Sequence, residues 1–96
     1  MQVRRKGRWM YVVDERIVEL LAESSWETPK TMARDSRFCE VRADEEYIRQ
    51  RCRGLVEREL IVPVVKNSEM YEITSLGLAY LRGDLDADHL PRWTVG

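Results

Sequence analysis

The stretch DEEYIRQRCRGLVERELIVPV, residues 44–64, constrains the fold more than any other part of the chain. At about 100° per residue, Ile48, Cys52, Leu55 and Val56 fall within one quadrant, so the spacing predicts a helix over residues 45–59 with one buried face. Asp44 stands at its cap position, and Glu45 suits the positive end of the helix dipole. After Leu60 the period changes. IVPVVK, then Asn67 and Ser68, then EMYEIT read as two β-rich runs around a turn, a hairpin over residues 61–74. Pro63 has no backbone N–H to give to a ladder, so its strand belongs at an edge.

The rest of the chain supplies helices on either side of this unit. Val13, Asp14 and Val18 have the pattern of a staple, a cap and the residue the staple packs on. With Ile17, Val18, Leu20 and Leu21 they predict a first helix over residues 15–23. Thr28 followed by Pro29 is a helix-start signature, and it predicts a short second helix over residues 29–35 with Met32 and Ala33 turned inward. A linker with Phe38 and Val41 leads to Asp44. Thr74 or Ser75 opens a last helix carrying Leu76, Leu78, Tyr80, Leu81 and Leu85. The domain is expected to span residues 14–85, between a basic lead-in over residues 1–13 and an acidic, aromatic tail over residues 86–96.

Ninety-six residues suffice for one small domain, and 44% hydrophobic with 34% charged residues is a globular balance. The apolar runs are too short to span a bilayer, and no signal peptide is evident, so a cytoplasmic location is expected. Catalytic and cofactor readings find no support: there is no Gly-rich phosphate loop and no nucleophile elbow, and His89 is the single histidine. Cys39 and Cys52 lack the spacing of a zinc site, and Cys52 falls on the buried helix face as a free thiol. No metal, cofactor or small-molecule ligand is expected. Net charge is -1, but residues 1–8 hold Arg4, Arg5, Lys6 and Arg8, while residues 83–90 hold Asp84, Asp86 and Asp88.

The order helix, helix, helix, hairpin, helix is that of an α+β winged helix-turn-helix: a three-helix core, a β-hairpin wing and a C-terminal helix. The motifs WMYVVDERIVELL, TPKTMA, EEYIRQRCRGLVERELIVPV and YEITSLGLAYLRGDLDA resemble the haloarchaeal phage phi-H repressor-like family of winged-helix proteins. The resemblance rests on Trp9 and Met10; on Ile48, Arg51 and Cys52; and on Ile73, Thr74, Gly77, Tyr80, Leu81 and Gly83, and it covers roughly residues 9–88. It implies a DNA-binding transcriptional regulator.

In that frame the third helix enters the major groove and the hairpin tip reaches the flanking backbone. The candidate DNA-contacting residues are Glu46, Tyr47, Arg49, Gln50 and Arg53 on the helix, Lys30 and Thr31 at the second helix, Lys66 and Asn67 at the hairpin tip, and Arg5 and Arg8 in the basic lead-in. Gln50 suits adenine, Arg49 or Arg53 suits guanine or phosphate, and a good bidentate base contact discriminates by about 1–3 kcal/mol. Two readings of Glu46 stand open: it accepts from cytosine, or it pairs with Arg49 or Arg42 on the surface. Arg51, nearer the core edge, is expected to pair with a carboxylate. The expected partner is double-stranded DNA bound by a homodimer, with the last helix and residues 90–93 as the dimer surface. The alternative is a protein-interaction winged helix whose acidic helix start repels phosphate.

Overall fold

The computed structural model describes residues 4–89. Five helices and one hairpin follow in the order α1 (Val12–Glu23), α2 (Pro29–Met32), α3 (Ser36–Glu40), α4 (Glu45–Glu57), β1 (Ile61–Pro63), β2 (Tyr71–Ile73) and α5 (Ser75–Arg82), with a 3-10 turn at Ala87–His89. This is a winged helix. Helices α1, α2 and α4 pack around Ile17, Val18, Leu21, Met32, Ile48 and Leu55, all fully or almost fully buried, and α5 closes the core with Tyr80.

The amphipathic α4 stands where its periodicity puts it. Asp44 accepts a hydrogen bond from the Tyr47 backbone N–H at 2.8 Å, and Ile48, Cys52 and Leu55 are buried. Burial pushes the Cys52 thiol up to about 12, so it stays protonated at neutral pH. The helix ends at Glu57 rather than Glu59 because the chain turns left-handed at Glu59, φ 63°. There the Leu60 N–H bonds to the Leu55 carbonyl and the Glu59 N–H to the Val56 carbonyl, a Schellman closure that turns Leu60 into the core.

Strands β1 and β2 pair antiparallel, Ile61 with Ile73, Val62 with Glu72 and Pro63 with Tyr71. On its other side Tyr71 bridges Glu27, so among the described residues β1, which carries Pro63, has a partner on one side only. Helix α5 explains the Ile-Thr-x-x-Gly pattern. Thr74 caps it by accepting from the Gly77 N–H, and a Cβ on Gly77 would lie 2.4 Å from the Leu60 carbonyl oxygen, so only glycine lets α5 approach the strand start. Gly83, φ 82°, ends the helix. Leu85 therefore lies outside α5, where it packs partly buried against the core.

Two further boundaries differ from the sequence expectation for physical reasons. The first helix begins at Val12 with Tyr11 at its N-cap, so Asp14 is a residue of the first turn and not the cap. Its carboxylate accepts from the Tyr11 N–H at 2.8 Å, which does the work of a cap from inside the helix. With both valines inside α1, the expected staple between Val13 and Val18 does not form across the cap. The second helix stops at Met32, and the expected linker contains α3, capped by Asp35 and anchored by buried Phe38. Five residues are too few to show a period. The lead-in and the tail meet: Arg5 bridges Asp86, the Ala87 N–H bonds to the Arg5 carbonyl, and Trp9 Nε1 donates to the Ala87 carbonyl at 3.0 Å. The expected dimer residues Leu90, Pro91 and Trp93 and the side chain of His89 lie outside the described residues.

Asp14 is completely buried, and Arg51 answers it. The guanidinium donates from Nε to Oδ1 at 2.8 Å and from Nη2 to Oδ2 at 2.7 Å, and stacks over the Tyr11 ring with its carbon 4.8 Å from the centroid. This pair joins the start of α1 to the middle of α4. Arg51→Met leaves the buried carboxylate without its cation and is expected to destabilise the protein by about 3–5 kcal/mol in urea denaturation, much of it recovered when Asp14→Asn is added.

Candidate nucleic-acid interface

The outward side of α4 presents Glu46, Tyr47, Gln50, Arg53 and Glu57, all exposed, opposite the buried Ile48, Cys52 and Leu55. Among the described residues the side chains of Tyr47, Gln50 and Arg53 make no hydrogen bond or ion pair. Arg49 is different. Its guanidinium meets Glu69 from Nε at 2.5 Å, Glu46 from Nη1 at 2.8 Å and Glu45 from Nη2 at 2.8 Å. Hydrogen bonds to Glu69, Glu45 and Glu46 raise its pKa above the usual arginine value, so it carries a fixed charge that three carboxylates share.

The hairpin projects beside this helix. Past the Pro63–Tyr71 pair it is closed by the Val64 N–H on the Met70 carbonyl and the Ser68 N–H on the Val65 carbonyl, with Asn67 left-handed at φ 64°. Lys66 and Asn67 are exposed at the tip and, among the described residues, their side chains have no partner. At α2, Lys30 is exposed, whereas the Thr31 hydroxyl is occupied: it accepts from the Thr28 N–H at 2.8 Å and donates to Glu27 at 2.6 Å.

A model of the winged helix-turn-helix phage repressor family matches residues 3–92. The chain belongs to that family. The PhiH1 repressor-like protein from Haloarcula marismortui, known from a crystal structure, is similar in fold with a TM-score of 0.84 and 30% identity over 96% of this chain and 99% of that one. No curated protein sequence matches the chain. The family is one of repressors by its description. Among the described residues no helix is long and apolar enough to cross a membrane, and no group of three His, Cys, Asp or Glu could hold a metal ion.

In this repressor-family fold the hairpin is the wing, and α4 stands beside it. Of the sequence candidates, Tyr47, Gln50, Arg53 and Glu46 share the outward side of α4, with Arg49 on its flank toward the wing. Glu46 pairs with Arg49 at 2.8 Å. Arg8 is turned to the acidic tail, its backbone N–H 2.7 Å and its Nε 3.4 Å from the Asp88 carboxylate, and Arg4 and Lys6 pair with acids of α1. Arg5 keeps an exposed side chain. Arg34, which the sequence did not single out, and Arg42, which it offered only as a partner for Glu46, are exposed cations without an ion pair among the described residues, and Glu69, the third carboxylate on Arg49, was not foreseen. The acids at i−3 and i−4 from Arg49 are visible in sequence, but nothing local announces a partner twenty residues away.

Gly54 lies between Gln50 and Tyr47 on the rim of this face, and a Cβ there would meet nothing within 4 Å. A mid-helix glycine costs about 0.5–1 kcal/mol relative to alanine. Gly54→Ala is therefore expected to raise the urea midpoint by a stability gain of about 0.5–1 kcal/mol.

Proposed function

We propose that the protein binds duplex DNA as a repressor-like transcriptional regulator, with α4 in the major groove and the wing on the flanking backbone. The observation that carries this reading is the pair Gln50 and Arg53. Both are exposed opposite the core of the reading helix, and neither side chain makes a hydrogen bond or ion pair among the described residues in a chain that otherwise pairs many of its charges. A glutamine and an arginine one turn apart supply bidentate donors and acceptors for adenine and guanine. Tyr47 lies on the same face. Lys30, Arg34, Arg42, Lys66 and Asn67 are the backbone contacts of this reading, since unpaired cations can release counterions from phosphate and the Asn67 amide can donate to a phosphate oxygen.

Membership of the phage repressor family and similarity to a repressor-like protein support the regulator role. We place the protein in the cytoplasm as a homodimer, with α5, where Leu78 is 39% exposed, on the dimer face; light scattering at high concentration tests this through a dimer mass. One observation favours a second reading, a protein-interaction module: three carboxylates around one arginine leave excess negative charge at the start of α4.

Selection from a random duplex pool over a salt series separates the two. DNA binding predicts an enriched, (pseudo)palindromic motif whose recognition Gln50→Ala/Arg53→Ala relaxes at defined positions, by about 1–3 kcal/mol for each lost base contact. The protein-interaction reading predicts no enrichment and no salt-dependent affinity.

A further inference from the structure

One side chain ties the wing tip to the reading helix by an ion pair. Among the described residues 64–70, Glu69 alone makes a side-chain hydrogen bond or ion pair with the body of the protein, and its partner is Arg49. The backbone of the tip is held only within itself, by Val64 on Met70, Ser68 on Val65 and the Ser68 hydroxyl with Met70. The same guanidinium is braced from the helix side by Glu45 and Glu46, one turn back on α4. Three carboxylates thus hold the planar fork on three sides, and the fork spans from the reading helix to the wing.

This arrangement is unsuited to base recognition. An arginine that reads guanine presents an open pair of N–H groups to a base edge, and here each of the three nitrogens already donates to a carboxylate, so three of the five N–H groups are taken and acids surround the fork. It is well suited to setting a distance. We propose that Arg49 is a positioning residue that fixes the wing against the reading helix, and that it reads no base itself. The inference deepens the DNA-binding reading and rests on it. Discrimination then belongs to Gln50 and Arg53, and Arg49 determines whether Lys66 and Asn67 reach the backbone while α4 is seated.

The proposal makes a prediction opposite in sign to simple electrostatics. If charge alone mattered, Glu69→Gln would raise affinity, because it removes a negative charge near phosphate. If Glu69 anchors the wing, Glu69→Gln lowers affinity.

The test uses the full chain and the duplex enriched from the random pool, with Arg49→Met, Glu69→Gln and the double variant compared with wild type, and folding checked by circular dichroism. Each single variant is expected to lose about tenfold in affinity, the scale of one or two phosphate contacts, and the double to lose no more than the greater single. The selected motif should stay unchanged, while hydroxyl-radical protection of its flanks falls. Unchanged or raised affinity in Glu69→Gln, unchanged affinity in Arg49→Met, additive losses, or a changed base preference in Arg49→Met overturns the proposal and leaves DNA binding standing. A wild-type protein that enriches no duplex overturns the DNA-binding reading and this proposal with it.

Discussion

The ion pair between Asp14 and Arg51 is the constraint on which the other features of this domain depend. A carboxylate with no solvent exposure is tolerated only when fully matched, and the bidentate guanidinium with the Tyr11 N–H supplies that match. Because the pair is anchored in the first turn of α1 and at the middle of α4, it sets the rotation of α4 about its own axis. With Arg51 drawn to Asp14, Ile48, Cys52 and Leu55 face inward and Gln50 and Arg53 face out. Cation–π stacking of Arg51 on Tyr11 and of Arg58 on Trp9 braces the same flank of α4 against the residues that precede α1.

Internal pairing also reshapes the charge of a chain whose net charge is -1. Three of the four cations of the lead-in pair with acids of α1 and the tail: Arg4 with Glu19, Lys6 with Glu15, Arg8 with Asp88. Those around α2, the turn before α4 and the wing tip, Lys30, Arg34, Arg42 and Lys66, pair with no acid among the described residues. An interface built this way has a weak long-range field and gains its selectivity from close contact.

Much of the fold was legible because its elements announce themselves locally. Helix α4 carries a full apolar quadrant and a cap at Asp44, the hairpin shows a change of period after Leu60, and α5 has Thr74 and Gly83 at its two ends. What could not be read depended on long-range partners or on too few residues. Asp14 has the local signature of a cap and is instead half of a buried pair with a residue 37 positions away. Helix α3 is five residues long. At the candidate site, Gln50 and Arg53 follow from periodicity alone. Arg49 looked equivalent to them because its third carboxylate comes from the wing.

The measurement that tests the account most directly is an amide chemical-shift map of the isotope-labelled protein titrated with duplex DNA. The account predicts shifts concentrated on Tyr47, Gln50 and Arg53 of α4 and on Lys66 and Asn67 of the wing, with the outer side of α5 unmoved. Shifts confined to α5 or the lead-in, with α4 silent, would contradict it.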